Sequence, residues 1–256
     1  MKILVIGDSC TDKFIYGKCN RLCPEAPVPV FTPINEVKKL GMAGNVLSNL
    51  LSLNEKCILH TNKLKPMKTR FVDDKTNQML LRVDEDDKCE RIEEETLMLY
   101  DHSIYHEFIL KLQAVVISDY DKGFLTKEDI KTISEIYNCP IFLDTKKELG
   151  EWCRGVDFIK INDVEYENTK HTLDGLGLEN KLIVTKGGEG CRFQGKNYPT
   201  KKCEVKDLSG AGDTFLAGLV HKYVESGDIE QSLEFANKVA TQVVQKRGIN
   251  DIEVRI

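Results

Sequence analysis

Residues 207–215 read DLSGAGDTF, and an apolar helical pattern follows them directly. A glycine-rich turn at the start of a helix directs several free backbone amides to one point, where the helix dipole adds positive potential. The turn formed by Gly210, Ala211 and Gly212 is therefore a candidate anion site. Asp213 falls in the first helical turn, where its carboxylate can accept a hydroxyl proton while the amides stabilise phosphoryl charge. The alternative is an ordinary glycine turn in which Asp213 caps the helix.

The rest of the chain alternates between apolar, strand-like runs and helical patterns. The strand-like runs are residues 2–6, 57–60, 114–118, 140–144, 157–161 and 181–185. The helical patterns are residues 43–53, 126–137, 163–170, 212–226 and 229–247. Near-continuous runs of Val, Ile and Leu that alternate with helices are typical of a parallel sheet covered on both faces. The sequence therefore predicts an α/β fold.

Residues 13–34 and 67–84 break this alternation, because they have strand character with polar alternation and no helix between their strands. They predict a small antiparallel sheet that lies outside the main one. Pro24, Pro27 and Pro29 fit an edge strand or a turn of that sheet, and not a central strand.

Composition excludes several classes of protein. The net charge is -5 and no long basic run occurs, which argues against a nucleic-acid partner. No apolar stretch approaches the ~20 residues of a membrane helix, and the apolar run at residues 3–6 is too short for a secretory signal. The 9 cysteines form no C-x-x-C pair, which favours reduced thiols and a cytoplasmic location.

Other motifs are weak or missing. His102 and His106 stand four residues apart, but no third ligand is near them in the sequence, so a solvated helix face is favoured over a metal site. The chain contains no G-x-x-x-x-G-K-[ST], and it lacks the H-R-D and D-F-G strings. These absences exclude P-loop kinases and protein kinases.

Five strings resemble the signatures of the PfkB/ribokinase family of carbohydrate kinases. They are D-x-x-G-A-G-D-T-F at 207–215, G-M-A-G-N at 41–45, N-D-V-E at 162–165, T-K-G-G-E-G at 185–190, and G-D at 7–8 leading to Asp12. The resemblance implies a ribokinase-like α/β three-layer sandwich with a mostly parallel central sheet and a small β-sheet lid. It also implies a single kinase domain over residues 1–256, with lid segments at about 13–34 and 67–84.

Within that family, four strings are similar to the kinase domain that phosphorylates D-glycero-D-manno-heptose 7-phosphate at O1. They are Y-G, Arg21 and P-E-A-P-V-P-V within residues 16–30, residues 78–84, S-D-Y and K-G within residues 118–123, and Asp144 with Lys146. In several bacteria that domain is fused to an adenylyltransferase. We expect no such domain to follow in this chain, so the resemblance implies a separate adenylyltransferase as a partner.

The resemblance assigns roles to individual residues. Asp213 is the implied base, and Gly210, Ala211 and Gly212 bind the developing charge. The implied substrate-binding residues are Asp12, Arg21, Gly41, Asn45, Arg70, Asp119, Lys122, Asp144 and Lys146. The implied ATP-binding residues are Asn162, Glu165, Thr185, Lys186, Gly187, Gly190, Asp207, Ser209 and Asn237, with Glu165 holding Mg²⁺ through water.

Several of these residues have an alternative interpretation. Asp12 could belong to a strand-end turn, and Asn45 could cap the helix that follows it. Asn162 and Glu165 could be an ordinary capped helix start. The candidate phosphate-binding cations could each be a solvated surface residue; they are Arg21, Arg70, Lys122 and Lys146.

Two features depart from the family pattern. Met42 stands where the first signature usually has a second glycine, and its side chain could reshape the sugar pocket. After the strand at 57–60, about thirty residues, roughly one strand–helix unit, are missing. The sheet then has a new edge, which dimerisation or the lid strands must cover.

The expected reaction is transfer of the γ-phosphoryl group of ATP, with Mg²⁺, to a hydroxyl of a sugar phosphate, with heptose 7-phosphate as the preferred acceptor. The expected assembly is a homodimer through the lid. The alternatives are a kinase for another sugar or a nucleoside, or a non-catalytic homologue that binds sugar or nucleotide. Met42 and the missing unit favour the non-catalytic alternative, whereas the intact string at 207–215 argues against it.

Overall fold

The computed structural model describes residues 2–93, 97, 111–173, 175–246, 248, 249 and 252. They form one large sheet of eight strands and one small sheet of four, so the predicted α/β fold is confirmed. The histidine pair at His102 and His106 and the predicted end of the last helix at Arg247 lie outside the described residues.

Six of the strands follow the six predicted apolar runs to within one residue at each end. In chain order the strands are β1 (Lys2–Gly7), β2 (Ser9–Leu22), β3 (Pro29–Met42), β4 (Lys56–His60), β5 (Met67–Asp73), β6 (Met79–Glu85), β7 (Ala114–Asp119), β8 (Ile141–Thr145), β9 (Phe158–Asn162), β10 (Leu182–Thr185), β11 (Cys191–Phe193) and β12 (Lys196–Tyr198). The α-helices whose bounds the structure describes are α1 (Ala43–Ser52), α2 (Lys127–Ile136), α3 (Asp163–Thr169), α4 (Ala211–Ser226) and α5 (Ile229–Val244).

The large sheet has the order β12-β11-β10-β9-β8-β7-β1-β4. The six strands from β10 to β4 pair in parallel, and β11 and β12 add an antiparallel hairpin at one edge. Every residue of β7 and β8 is buried, as expected for central strands covered on both faces. Their side chains alternate between two apolar clusters. Val115 and Ile117 join the cluster that contains α2, whereas Val116 joins the one that contains α1, α4 and α5.

The strand at the other edge of the large sheet is β4. The chain leaves it at His60 and enters β5 at Met67, so only a short connection separates the large sheet from the small one. This agrees with the prediction that a strand–helix unit is missing after residue 60. Among the described strands, β4 has a hydrogen-bonded neighbour, β1, on one side only.

The small sheet has the order β3-β2-β5-β6, and its strand directions correct the prediction of an antiparallel sheet. The pairs β2–β3 and β5–β6 are antiparallel hairpins, but β2 and β5 run parallel because β5 begins from the same side as β2. The first hairpin is also longer than the predicted segment 13–34. It begins with the pair Ser9 and Met42, so its base continues into the main body of the protein.

Helix α4 is held between α1 and α5, and a close approach to α5 occurs at Gly218. A Cβ atom at this glycine would lie 2.5 Å from Val239 Cγ2 and 3.3 Å from Ala236 Cα. The side of α4 that faces the core is completely buried at Leu216 and Leu219. The position of the N-terminus of α4 therefore depends on this packing.

All 9 cysteines are free thiols. Among the described helices, none has both the length and the apolar character that crossing a bilayer requires.

We expect Gly218→Ala to lower the free energy of unfolding by about 1–3 kcal/mol, because the added methyl group overpacks the contact between α4 and α5. The sign is informative, since Gly→Ala inside a helix otherwise stabilises by about 0.5–1 kcal/mol. Urea unfolding followed by circular dichroism measures the change. Gly188→Ala is the control, because a Cβ there meets no heavy atom within 4 Å. Stabilisation by Gly218→Ala would contradict the described packing.

Candidate active site

The parallel strands of the large sheet all end at one edge, and the N-terminus of α4 lies at the same edge. A cleft of about 790 Å³ opens there. Its walls carry residues from the ends of β7, β8, β9 and β10, and from the glycine turn before α4. Ligands of open α/β sheets bind at the carboxyl ends of the strands, so this is the expected place for a site.

The glycine turn has the conformation that an anion site needs. Gly210 is left-handed with φ 78°, and α4 begins at the next residue, Ala211. A Cβ atom at Gly210 would lie 2.6 Å from Asn45 Nδ2, and one at Gly212 would lie 3.0 Å from Lys160 Nζ. The turn is therefore packed between an amide and an ammonium group. All three turn residues line the cleft, with the free amides of the helix start beside them.

Asp213 lies in the first turn of α4 and is buried, with 4% of its surface exposed. Its Oδ2 accepts a hydrogen bond from Asn45 Nδ2 at 2.8 Å, and its Oδ1 accepts one from the Tyr120 hydroxyl at 2.6 Å. Burial raises the pKa of Asp213 to about 6, against the lowering effect of these two hydrogen bonds. A carboxyl with a pKa near neutrality is suited to accept and release a proton.

A second buried carboxylate, Asp144, lies near Asp213 and is paired with lysines. Its Oδ2 is 2.6 Å from Lys160 Nζ, and its Oδ1 is 3.8 Å from Lys146 Nζ. Lys146 also binds Glu165 and lies 5.3 Å from the centre of the Tyr120 ring. Both lysines line the cleft, so two ammonium groups stand beside the glycine turn.

Lys160 is a site residue that the sequence analysis missed. It lies inside β9, in the run FIKIN, and only 4% of its surface is exposed. A lysine at a central position of a buried strand needs an anionic partner, because an unpaired buried charge is costly. That rule was the available signal, and Asp144 on the neighbouring strand is the partner.

Tyr120 was a second omission. Residues 118–120 were noticed as a string similar to the heptose kinase domain, but no role followed for the tyrosine. Its hydroxyl reaches Asp213 across 93 positions of sequence, a juxtaposition that no local pattern encodes.

A second group of predicted residues lies on the small sheet beside Asp213. Asp12 on β2 pairs with Arg70 on β5, and the guanidinium of Arg70 lies 5.1 Å from the centre of the Phe14 ring. A Cβ atom at Gly41 would lie 2.0 Å from Asp12 Oδ2, so glycine is required for the close packing of β3 on this carboxylate. Asp12 lies within β2, and not in a turn as the alternative interpretation had it.

More cations extend this wall. The Lys122 ammonium contacts the Asp87 carboxylate, and Lys68 Nζ lies 3.7 Å from Asp87 Oδ1. Lys68 is buried and pairs in register with Asp12, and the sequence analysis did not assign it a role. Three cations, Lys68, Arg70 and Lys122, thus follow this side of the site with carboxylates between them.

Two predicted substrate residues are placed differently. Arg21 is exposed near the far end of β2, nine residues beyond Asp12, or roughly 30 Å along the strand. Asp119 is buried at the end of β7, but its carboxylate accepts from Lys147 at 2.7 Å and from the Thr145 hydroxyl. Both oxygens of Asp119, at the end of β7, therefore bind residues at the end of β8 and in the loop that follows it.

Five of the predicted ATP-binding residues line the cleft: Asn162, Thr185, Gly187, Gly190 and Asn237. The cleft wall also contains apolar side chains outside the glycine turn, among them Val164, Val205 and Val244. The polar end of the cleft, at the glycine turn, is compatible with the phosphates of a nucleotide. The rest of the cleft is partly apolar and is compatible with the base.

The other predicted ATP-binding residues have structural contacts. Asp207 accepts from the backbone N–H of Ser209 at 2.8 Å and of Gly248 at 3.0 Å, so it fixes the loop that precedes α4. Neither Asp207 nor Ser209, nor Lys186, is among the described residues that line the cleft.

Glu165 and Asn162 form a capping box at the start of α3, as the alternative interpretation had it. Asn162 Oδ1 accepts from Glu165 N at 2.9 Å, and Glu165 Oε2 accepts from Asn162 N at 2.8 Å. The described residues contain no group of three or more His, Cys, Asp or Glu side chains that could hold a metal ion directly. Asp144 Oδ1, however, is buried without a hydrogen-bond partner. Mg²⁺ is usually bound by one or two protein carboxylates, several waters and the phosphates of the substrate. The site therefore fits an ion held through water.

The fold and the cleft are those of an α/β protein that binds a small anionic ligand at the carboxyl ends of its strands. A family model described as pfkB family carbohydrate kinase matches residues 108–254. The chain therefore belongs to the pfkB family of carbohydrate kinases.

Curated relatives share more of the chain. The bifunctional protein HldE of a Nitratiruptor species is 31% identical over 293 residues, which cover 96% of this chain and 62% of the relative. HldE of Helicobacter pylori is 34% identical over 296 residues, which cover 96% of this chain and 63% of the relative. The chain thus spans less than two thirds of the length of these relatives.

Solved structures share the fold at low sequence identity. Ribokinase from Thermotoga maritima has a TM-score of 0.71 at 15% identity, with 98% of this chain and 96% of that chain covered. Phosphofructokinase-2 from Escherichia coli in complex with potassium has a TM-score of 0.71 at 12% identity, with 98% and 95% covered.

We expect Asp213→Asn to stabilise the protein increasingly as the pH rises from about 4 to about 6. The folded-state pKa of Asp213, about 6, lies above the ordinary value of 3.8, so the folded protein loses stability as this carboxyl ionises across that window. Asparagine stays neutral, and its advantage approaches about 3 kcal/mol at most above pH 6. Thermal unfolding between pH 4 and pH 8 measures it.

The control is Asp228→Asn at the exposed N-cap of α5, where the backbone N–H of Gln231 is the main cause of a lowered pKa. Its folded-state pKa lies below the ordinary value of 3.8, so its effect on stability should stay nearly constant between pH 4 and pH 8. Equal pH dependence of wild type and Asp213→Asn would contradict the assigned environment of Asp213.

Proposed function

We propose that this carbohydrate kinase transfers the γ-phosphoryl group of ATP to a sugar phosphate, and that D-glycero-D-manno-heptose 7-phosphate is its preferred acceptor. The observation that carries the proposal is the buried Asp213 carboxylate at the start of α4, between the glycine turn on one side and the wall with Asp12 and Asn45 on the other. This arrangement joins a base, an anion site and hydroxyl-binding groups.

In the proposed reaction the acceptor hydroxyl gives its proton to the Asp213 carboxylate, and its oxygen forms a bond to the γ-phosphorus. The bond from that phosphorus to the bridging oxygen breaks, and ADP leaves with the electron pair. The amides at Gly210–Gly212 and the Lys160 ammonium stabilise the charge on the transferred group. Mg²⁺, when bound with ATP, supplies further neutralisation of the phosphates, and Glu165 and Asp144 are the residues that would hold its waters.

Burial supports the assignment of Asp213 as the base. Below a pH of about 6 the carboxyl is protonated and cannot accept the hydroxyl proton, so activity should fall on the acid side of this value. The neighbouring Asp144 opposes ionisation of Asp213, whereas Lys160 favours it. The lysine pairs with Asp144 and also approaches the glycine turn, so it serves both groups.

Two cations of the small sheet and Lys122, from the loop after β7, support a phosphorylated acceptor. Arg70, Lys68 and Lys122 lie on the side of the site that carries Asp12, and each is paired with a carboxylate in the absence of an anion from the substrate. A guanidinium and two ammonium groups favour a phosphate ester over a neutral sugar. The similarity of residues 16–30 and 78–84 to the heptose kinase domain supports the particular acceptor.

The resemblance also implies a reaction that follows. The longer relatives are named bifunctional, and we infer that an adenylyltransferase on another stretch of polypeptide uses the phosphorylated product. A cytoplasmic location belongs to the same proposal, since ATP and free thiols are typical of that compartment.

We expect ADP release with heptose 7-phosphate to exceed release with fructose 6-phosphate, ribose, adenosine or no acceptor by at least about tenfold, because only the first combines the expected hydroxyls and phosphate. A coupled assay with Mg·ATP measures it. Asp213→Ala should reduce this turnover by at least about a hundredfold, while Asp228→Asn serves as the remote control. Turnover that survives Asp213→Ala would refute the assignment of Asp213 as the base.

Other outcomes of the same panel separate the alternatives. Preference for adenosine would identify a nucleoside kinase on this fold. Binding of heptose 7-phosphate in calorimetry without ADP release would identify a non-catalytic binding protein. Met42 gives that alternative some weight, because it replaces a glycine at a position with φ 60°, where a side chain is strained.

We further propose that two copies associate through the small sheet. Met79, Leu81 and Val83 alternate along the edge strand β6 and are 53%, 56% and 38% exposed, and Ile34 on the other edge strand is 55% exposed. Apolar residues on exposed edge strands are a liability for a monomer, and a second copy would cover them.

We expect the wild type to sediment as a dimer at micromolar concentration and Leu81→Asp to sediment as a monomer, because a charge cannot be buried there without a partner. Leu51→Asp, at a residue of α1 that is 50% exposed, is the matched control and should leave the dimer intact. Analytical ultracentrifugation decides the matter, and a monomeric wild type would contradict the proposal.

A further inference from the structure

We propose that the hydroxyl of Tyr120 is a positioning group for the base, one that fixes the orientation of the Asp213 carboxylate and stabilises its charged form. The inference rests on the proposed role of Asp213 and extends it to a residue that neither the sequence resemblance nor the comparisons assign. Three observations carry it: the hydrogen bond itself, the way Tyr120 is anchored, and the charges around Asp213.

The two oxygens of the Asp213 carboxylate are held from two directions. Tyr120 donates to Oδ1 at 2.6 Å from the loop after β7, and Asn45 donates to Oδ2 at 2.8 Å from α1. Each carboxylate oxygen can accept a further hydrogen bond. An acceptor hydroxyl can therefore approach the carboxylate while both protein donors stay in place.

Tyr120 is itself fixed, which a positioning group must be. Its backbone N–H donates to Asp8 Oδ2 at 2.6 Å, and the N–H of Phe124 donates to Asp8 Oδ1 at 3.2 Å. One buried carboxylate thus closes the loop that carries the tyrosine. Inside this loop Asp121 has φ 56° and Gly123 has φ 107°, a tight conformation that the two hydrogen bonds hold.

The ring of Tyr120 links the base to the phosphate side of the cleft. Lys146 Nζ lies 5.3 Å from the ring centre, within the range of a cation–π contact. The same lysine binds Glu165 and lines the cleft. The aromatic ring therefore contacts the lysine while its hydroxyl binds Asp213.

The charged groups around Asp213 explain why such a donor is needed. Burial and the nearby Asp144 on β8 oppose ionisation of Asp213, whereas Lys160 on β9 favours it. Lys146, after β8, interacts favourably with Asp213. Cys10 on β2 also faces it, but burial raises the pKa of that thiol to about 12, so it is neutral.

Tyr120 remains a hydrogen-bond donor at neutral pH in these charged surroundings. Burial, followed by the charge of Asp213, raises the pKa of Tyr120 well above its ordinary value, so the phenol keeps its proton at neutral pH. Its hydrogen bond lowers the pKa of Asp213, in opposition to burial. Loss of this hydroxyl should therefore move the protonation of the base toward physiological pH.

The test compares Tyr120→Phe with wild type in kcat between pH 5.5 and pH 8.5, with Mg·ATP and D-glycero-D-manno-heptose 7-phosphate. We expect the ratio of wild-type to variant kcat to be about fivefold larger at pH 6 than at pH 8.5, because less of the variant carboxyl is ionised at the lower pH. The matched control is Tyr137→Phe, at the C-terminal end of α2 and the opposite edge of the sheet. Its ratio to wild type should not change with pH.

A second variant should shift the pH dependence of kcat in the opposite direction. It also tests the proposal if Tyr120→Phe does not fold. Incorporation of 3-fluorotyrosine at position 120 keeps the hydroxyl and makes it a stronger donor, so the acid limb of kcat should move to lower pH. A purely structural role predicts the same pH dependence for all forms. That result, with folded proteins, would overturn the proposal.

One readout separates this inference from the proposed function. In protein labelled with ¹³C at the aspartate carboxyls, the Asp213 signal is assigned by its loss in Asp213→Asn and is titrated without substrate. A higher titration midpoint in Tyr120→Phe supports the role of Tyr120 whatever the enzyme phosphorylates, and an unchanged midpoint overturns it. Turnover by Asp213→Asn would instead refute Asp213 as the base.

Discussion

Burying the carboxylate of Asp213 removes it from water, and much of the surrounding structure reduces the energetic cost of that removal. Two hydrogen-bond donors hold its oxygens, and α4 begins at the turn that precedes it. The amides of that turn and Lys160 supply positive potential on the side of the cleft. The balance leaves a group with a pKa of about 6, which is ionised at neutral pH yet able to bind a proton.

The sheet places these groups in one spot because its parallel strands end at a common edge. Asp144, at the end of β8, and Lys160, inside β9, pair across neighbouring strands. Helix α4 brings the turn to the same edge, and its packing against α5 at Gly218 sets its position. On the small sheet, Asp12 of β2 and Arg70 of β5 form an ion pair across neighbouring strands.

The order of strands and helices was predictable from the sequence because apolar runs of buried parallel strands are nearly continuous and the helices between them have clear periodicity. The direction of β2 relative to β5 was not, since alternation within a strand carries no information about its neighbour. The glycine turn with Asp213 was predictable because glycine, the helix start and the acid are adjacent in sequence.

Contacts between distant segments were the least predictable part of the site. Tyr120 and Lys160 gain their place only when strand ends meet, whereas Arg21, in a matching string, lies far along β2 from Asp12. Asp119 is a carboxylate at a strand end, as predicted, but Lys147 and Thr145 occupy its oxygens. Residue type and position in a motif thus located the edge of the sheet correctly, while the partners of each side chain depended on the three-dimensional arrangement.

A crystal structure with ADP, aluminium fluoride, Mg²⁺ and the sugar phosphate would test the central claim most directly. The account predicts that the fluoride group lies against the amides of residues 210–212. It also predicts that an acceptor hydroxyl lies within about 3.2 Å of an Asp213 oxygen, the reach of a hydrogen bond. A complex in which the acceptor hydroxyl faces another residue and Asp213 touches neither ligand would contradict it.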